Sequence, residues 1–237
     1  QTQAPPPLLE TSVGKGYTPP QLRRLLFGSL VAIVVLLTIL VTLFRHLIAK
    51  LYRALLSETL FNQLYRELPS YSPVPFFALY LFSLGILSYF LFLTLHQWGI
   101  QLAPSPGKGL LLTATGLLMF FAGKHFLWAL SGMLFPVGRE LGAYSFLVLV
   151  FNVMLGLGLI PFTIVISYAP PPMAQGAMYL GLGAGGMLFL YRLLRGLWLT
   201  APLLSSTPFH FLLYICAVEI APFLVLWRYF SSHFGEF

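Results

Sequence analysis

Apolar residues along this chain fall into six long runs, each of which has the length of a membrane-spanning helix. A bilayer core about 30 Å thick needs about 20 helical residues to cross it. Short connections marked by proline and glycine, APSPGKG and PPPMAQG, separate the second run from the third and the fourth from the fifth. These connections predict antiparallel helix pairs. The predicted spans cover residues 25–44, 75–99, 109–135, 145–168, 177–199 and 209–229.

The connection after the first span has a different pattern, with apolar residues at helical spacing and basic residues among them. Leu47, Leu51 and Leu55 recur every four residues, which is typical of one face of a helix. This pattern predicts an amphipathic helix over about 46–67, lying at the cytoplasmic interface. A simple extension of the first helix beyond the bilayer explains the pattern equally well, so both interpretations stay open.

Composition places the chain in one structural class. Hydrophobic residues make up 58% of it and charged residues 8%, against about 25% charged in soluble domains. We therefore predict an all-α integral membrane protein with about six transmembrane helices and the one interfacial helix. In a membrane protein the net charge of +7 is explained by the orientation of the spans and by contact with anionic headgroups. The sequence has no basic-aromatic cluster outside the spans that would indicate nucleic-acid binding.

Two further features concern domain organisation and orientation. Residues 1–21 carry five prolines and predict an extended tail, ahead of a single membrane domain over 22–237. Gln1 fits a mature chain whose signal peptide was removed, and an arbitrary boundary fits as well. Lysine and arginine are more frequent on the side of the interfacial helix, which favours an N-terminus outside the cytoplasm.

The last predicted span contains a carboxylate, Glu219, near its centre. A carboxylate at that depth is costly unless it is protonated or paired, so it marks a candidate site. Cys216 lies one turn earlier on the same face, and Pro222 interrupts the helical hydrogen bonds nearby. A proton or cation relay, a ligand pocket and a polar contact between helices all fit this pattern. The candidate cations for pairing are Arg192, Arg195 and Lys124.

Histidines raise the question of a cofactor. His210 lies nine residues before Glu219, on the opposite face of the helix, and is better matched to Tyr214 four residues on. Bis-histidine haem needs two rings at one depth on facing helices, and only His125 with His210 meets that condition. No sequence motif predicts a metal site or a catalytic constellation.

Basic and small residues in the other spans suggest lipid or helix contacts. Asn152 lies in NVMLGLGLIP of the fourth span, and GLGAGG lies in the fifth, so we expect these two helices to pack closely. Basic side chains at headgroup depth are typical of contacts with lipid phosphates. Binding of an anionic ligand or of an acidic partner segment is the second interpretation. The predicted lipid- or partner-facing basic layer comprises Arg45, Lys50, Arg53, Lys124 and Arg139.

Several blocks together resemble a known family. These are LFNQLYRE, FNVMLGLGLIP followed by APPP, YRLLRGL and FHFLLYICAVEIAP. They resemble the multi-spanning inner-membrane proteins of Bacteroidota that are known only as a domain of unknown function. The resemblance implies a multi-pass protein of the bacterial inner membrane and brings no activity. It implies that the family's signature blocks contain Asn152, Arg192, Arg195, His210, Tyr214 and Glu219.

Three classes of function follow. The leading hypothesis is a non-enzymatic subunit that scaffolds or assists an envelope complex for secretion, translocation or membrane biogenesis, with other membrane proteins as partners. The alternative is a proton-coupled or small-molecule transporter that uses Glu219. The third is a haem or quinone protein.

Overall fold

A computed structural model describes residues 19–68, 71–134 and 138–204. Within these ranges the chain forms six α-helices and no strand. Five of them are long and apolar enough to span a membrane. The prediction of an all-α membrane protein is confirmed, and the predicted span 209–229 lies outside the described residues. The helices are α1 (Pro19–Leu56), α2 (Glu58–Glu67), α3 (Pro73–Gln97), α4 (Pro106–Leu134), α5 (Gly138–Tyr168) and α6 (Pro171–Leu204).

Proline fixes where four of these helices begin. Pro19, Pro73, Pro106 and Pro171 each open a helix, because proline has no N–H to leave unpaired in the first turn. Helix α1 therefore starts inside the tail predicted over 1–21. At the other end of α3, Gly99 adopts φ 75°, a left-handed conformation that lets the chain turn away from the helix.

Helices α3 and α5 form the centre of the bundle. Helix α5 packs along α3 on one side and along α6 on another, while α4 contacts both α3 and α5. Gly156 of α5 lies against Ser83 of α3, where an added Cβ would come within 2.6 Å of the Ser83 Cα. The small residues of the fourth span thus bring α5 close to α3 as well as to α6.

Helix α1 divides into two parts with different surroundings. Phe44 leaves helical geometry (φ −121°, ψ 23°) and kinks the helix. Before the kink α1 is largely exposed, whereas beyond it Leu51 and Ala54 are fully buried. The second part thus joins the core of the bundle, and the first part runs along its edge.

The helix predicted over 46–67 consists of two pieces. Residues up to Leu56 continue α1, Ser57 is extended (φ −125°, ψ 127°), and α2 begins at Glu58. The first helix thus extends to Leu56 and a separate short helix follows it, whereas the interfacial position of this region stays a prediction. We call the bend at residues 55–58 the elbow. Phe61 and Leu64 of α2 are buried, and Phe61 packs against Phe146 of α5 at a ring distance of 5.4 Å.

Candidate functional site

The buried and half-buried polar side chains of the bundle are of two kinds. Some bond only within their own helix, such as Ser88 to the Leu84 carbonyl and Thr94 to that of Phe90. Others meet between helices, such as Tyr89 with Ser167 and a larger group in the half of the bundle nearer α2. Contacts of this second kind hold membrane helices together and mark functional sites, because unpaired polar groups are costly in hydrocarbon. We call the larger group the polar cluster: Tyr80, His125, Ser145, Asn152 and Arg192.

His125 connects three helices. Its Nε2 lies 2.9 Å from the Tyr80 hydroxyl on α3, and its Nδ1 lies 2.9 Å from the Ser145 hydroxyl on α5. Trp128 fixes the ring from one side, edge to face at 5.2 Å. A neutral imidazole has one donor and one acceptor nitrogen, and a hydroxyl can take either role, so both tautomers complete both bonds. The arrangement can therefore hold a proton in either of two positions.

Asn152 and Arg192 lie at the other side of the Tyr80 hydroxyl. The Asn152 amide is within hydrogen-bonding reach of that hydroxyl, and the Arg192 charge acts on it. The two residues lie at the same level of the bundle, because the rings of their chain neighbours Phe151 and Tyr191 are 5.4 Å apart. The Asn152 Nδ2 is buried, and within the described ranges no acceptor, the Tyr80 hydroxyl included, meets it with full hydrogen-bond geometry. The amide and the guanidinium thus both act on the Tyr80 hydroxyl.

Arg195 lies one turn beyond Arg192 on α6 and makes different contacts. Its guanidinium donates to the Leu55 carbonyl at 2.6 Å and to the Ser57 carbonyl at 3.1 Å. The Tyr191 hydroxyl donates to the same Leu55 carbonyl at 3.2 Å. The Leu55 carbonyl lies in the last turn of α1, where unpaired acceptors and the negative end of the helix dipole favour a cation, and Ser57 is the residue that joins α1 to α2. Arg195, stacked over Phe61 at 5.1 Å, therefore fastens the elbow to α6.

Comparison with known proteins decides the family. The model of a family described as Domain of unknown function (DUF4271) matches residues 26–230. The chain belongs to this family. The resemblance inferred from the signature blocks is thereby confirmed as to family, whereas the Bacteroidota origin stays a prediction. No curated protein and no solved structure matches the chain significantly.

The match covers every described helix of this DUF4271 protein except the first turns of α1, and it continues through the predicted last span. The predicted site residues of that last segment lie outside the described residues. They are Glu219, Cys216, His210 and Tyr214. Of the predicted site residues that the structure describes, Asn152 and Arg192 come together in the polar cluster and Arg195 does not.

The basic layer predicted for this DUF4271 protein does not share one environment. Arg45 and Arg53 are exposed on α1, as a headgroup-facing role requires. Lys124 is only 4% exposed, and its ammonium lies 5.4 Å from the Trp128 ring centre, so its side chain is buried within the bundle. Aromatic residues four positions away on α4 cover it, and the sequence did not reveal which face of α4 meets its neighbours. The side chain of Arg139 is outside the described set.

Lys50 is exposed but pairs with residues around α2. Its ammonium lies 3.6 Å from a Glu67 carboxylate oxygen and donates to the Tyr71 hydroxyl. A hydrogen bond from the Gln63 amide to Glu67, 3.0 Å long, is the largest cause that lowers the pKa of the Glu67 carboxyl, and Lys50 adds to it. Lys50 thus joins the end of α1 to α2 across the elbow.

The possible haem ligand His125 already uses both ring nitrogens in hydrogen bonds. Axial ligation would have to break the bond to Tyr80 or the bond to Ser145, and its expected partner His210 is not among the described residues. Within the described ranges no group of three or more His, Cys, Asp or Glu residues is placed to hold a metal ion. The structure therefore ties His125 to helix contacts.

Sequence reasoning missed Tyr80 and Ser145. Hydroxyl residues are common in spans, and neither position breaks an apolar pattern. In the structure both lie seven residues inside the start of their helices, at Pro73 and Gly138. The sequence did not reveal this common depth, because the predicted fourth span began only at residue 145.

Proposed function

We propose that this chain is a non-enzymatic membrane subunit that scaffolds or assists a complex of the bacterial cell envelope. In this proposal α1 is the helix that contacts the partner. One observation carries the proposal: only 6% of the most apolar stretch of α1 is buried in the part of the chain that the structure describes. For α3 the corresponding share is 61%. A span that its own bundle covers so little leaves its lateral face for another protein or for lipid.

The way in which α1 is held supports a partner. The elbow fixes its end through Arg195, Tyr191 and the pairing of Lys50 with Glu67. The part of α1 before the kink includes Phe27, Val35 and Leu43, all exposed. A helix that is anchored at one end and open along its length presents a pre-organised face, which lowers the entropy cost of docking.

The exposed residues near the elbow support a membrane-surface contact at the same end. Arg45 and Arg53 of α1 and Arg66 of α2 are exposed. Basic residues at such a level contact anionic headgroups in the cytoplasmic leaflet. The proposal thus orients the elbow towards the cytoplasm of an inner membrane and the start of α1 towards the periplasm.

Purification in mild detergent tests this function. The expected result is a stoichiometric partner protein that co-purifies with the wild-type chain. Val35→Trp adds bulk on the exposed face of α1 and should release the partner, whereas Leu112→Trp, on the exposed face of α4, should retain it. A clean monomer with no co-purifying protein would contradict the proposal, and so would equal retention by both variants.

The polar cluster favours proton-coupled transport as a second candidate. A histidine bonded through both nitrogens to hydroxyls can accept a proton on one side and release one on the other. Glu219 would act as the carboxylate of such a carrier. The test is proton flux in proteoliposomes, with Thr94→Val as a control that touches only its own helix. Flux that His125→Phe and Glu219→Gln leave unchanged removes both residues from any relay.

A further inference from the structure

We propose that the end of α1 and the elbow form a binding site for anionic phospholipids, with Arg45, Arg53 and Arg66 on the phosphates and apolar side chains beside them at the acyl boundary. The inference rests on the orientation of the proposed function, which turns the elbow towards the cytoplasmic leaflet, and not on the partner of α1. It deepens the headgroup contact of that function into a lipid-selective site and names the residues that anchor it.

The first step is the side of this segment that meets the protein. The apolar residues that recur at helical spacing along the end of α1 turn inwards: Leu51 is fully buried and Leu55 is 7% exposed. Phe61 and Leu64 of α2 are buried as well. A helix that lay on the bilayer by its apolar face would turn these residues to lipid. Contact with the membrane must therefore use the exposed side of the segment.

The exposed side combines apolar and basic residues. Tyr52 is 55% exposed, Leu56 65% and Leu60, on α2, 40%. Tyr52 follows Arg45 by seven residues and Leu56 follows Tyr52 by four, so the three lie along one strip of the helix. Arg53 is exposed next to that strip. A tyrosine and leucines beside arginines are typical of the boundary between headgroups and acyl chains.

The second step is the level of the elbow, which follows from α6. Gly181 of α6 packs against the Phe90 ring of α3, which an added Cβ would approach to 2.7 Å. Three reversals of direction separate α3 from α6, so the two helices are antiparallel. From this contact Arg195 lies about 21 Å along α6, and Pro73 lies about 26 Å along α3 on the same side. Arg195, which holds the elbow, is therefore near the level at which α3 begins.

The end of α1 keeps to this level. Lys50 donates to the Tyr71 hydroxyl, two residues before α3 begins, and Leu55 accepts from Arg195. Because both contacts lie near the start of α3, the segment between them runs along the end of the bundle and not away from it. The kink at Phe44 separates this segment from the span before it.

This level falls among the headgroups. Helix α3 has 25 residues and is about 38 Å long, and the exposed Trp98 follows its other end. A bilayer has a hydrocarbon core of about 30 Å and a total thickness of about 40–45 Å with its headgroups. With Trp98 at one interface, where tryptophans are enriched, the start of α3 lies beyond the core on the other side. The elbow and the end of α1 thus lie in the headgroup layer.

The third step is charge complementarity. Helix α2 carries two acidic residues, and each faces a cation: Glu67 meets Lys50 at 3.6 Å, and the Glu58 charge acts on Arg195. The other exposed arginines of α1 beyond the kink and of α2 have no ion pair in the described ranges. They are Arg45, Arg53 and Arg66. Three cations at headgroup depth without an acidic partner favour anionic phospholipids over zwitterionic ones.

Fluorescence quenching of the purified chain in nanodiscs tests this site. Leu56→Cys, in a Cys216→Ser background, carries an environment-sensitive fluorophore, and spin-labelled phosphatidylglycerol or phosphatidylcholine is the quencher. We expect quenching by both lipids, with about fivefold stronger association of phosphatidylglycerol, because basic residues near the bilayer surface attract anionic lipid. Leu180→Cys is the control and should show no preference, since it is exposed on α6 and no basic residue of that helix precedes Arg192.

Removing the three charges shows whether the arginines cause the preference. Arg45→Gln, Arg53→Gln and Arg66→Gln together should abolish it at position 56, and lysine at the same three positions should retain it. Added salt should weaken the preference of the chain with its arginines intact, so the test stands even if a variant does not fold. Equal association of both lipids, or a label that neither lipid quenches, would overturn the proposal. The assay contains no other protein, so its outcome is separate from the search for a partner of α1.

Discussion

Helices α1 and α3 differ in a way that hydropathy does not predict. The most apolar stretch of α1 has a mean hydropathy of 2.8, and 6% of it is buried. The most apolar stretch of α3 has a mean hydropathy of 2.1, and 61% of it is buried. In water the more apolar helix would take the centre. In a bilayer lipid solvates apolar side chains as well as protein does, so small and polar residues decide which helices meet. Ser83, Tyr80 and Tyr89 of α3 supply such contacts, and the first part of α1 supplies few.

The largest expected effect comes from breaking the closest approach at the centre. Gly156→Ala would place a Cβ 2.5 Å from the Ser83 Cβ and 2.6 Å from its Cα, so the backbones must separate. We expect a loss of about 3 kcal/mol, read as a fall in Tm of about 8 °C. Gly158→Ala, two residues on, has nothing within 4 Å and should leave the Tm unchanged. Equal effects of the two substitutions would refute the claim that α3 and α5 define the centre.

The polar cluster should show the next largest effect. Tyr80→Phe keeps the ring but removes the hydroxyl that pairs with His125 Nε2. Leaving that nitrogen of the half-buried His125 without its partner should cost about 2 kcal/mol. Thr94→Val, which removes a hydroxyl bonded only within α3, is the control and should cost less than half as much. Thermal unfolding of both variants in one detergent measures the difference, and a larger loss for Thr94→Val would contradict the ranking.

Substitutions at the elbow should act locally on the end of α1. Arg195→Gln removes two bonds to the Leu55 and Ser57 carbonyls, and we expect local opening to become easier by about 2 kcal/mol with little change in the Tm. Hydrogen exchange of peptides covering 53–61 measures the opening. Arg53→Gln, an exposed change on the same stretch, should leave the exchange unaltered. Faster exchange throughout the bundle would mean that Arg195 supports the centre too.

The smallest effect belongs to the exposed Lys50–Glu67 pair. Because the folded pKa of Glu67 is lowered, chiefly by the Gln63 amide, its stabilisation is present above the unfolded pKa and is lost as the pH falls through the folded pKa. Both side chains are well exposed, so the contribution is small. The Tm of the wild type minus that of Glu67→Gln should be slightly positive at neutral pH and vanish in acid. A difference that grows on acidification has the wrong sign.

Part of this architecture could be predicted from the sequence and part could not. The spans follow from apolar length alone, and the class follows from composition, because a bilayer demands both. The break at Ser57 was not predicted, since apolar residues continue at helical spacing through it. Arg192 and Arg195 looked equivalent because one turn separates them. Only their contacts assign them different roles: the Arg192 charge acts on the Tyr80 hydroxyl, and Arg195 donates to the Leu55 and Ser57 carbonyls.

Lys124 illustrates the same limit. A lysine near the end of a span is usually read as reaching headgroups, and the sequence offered no reason to place it inside. The structure buries it over aromatic rings of its own helix. Burial in a membrane bundle depends on which helix faces meet, which a single sequence encodes in scattered small and polar residues rather than in a periodic pattern.

The most direct test of the central claim, that the bundle leaves α1 open for a protein partner, is site-specific photocrosslinking in living cells. A photoreactive residue at position 35, on the exposed face of α1, is compared with one at position 112, on the exposed face of α4. We predict a discrete protein adduct of one size from position 35 and only lipid adducts from position 112. Lipid adducts alone from both positions would contradict the claim.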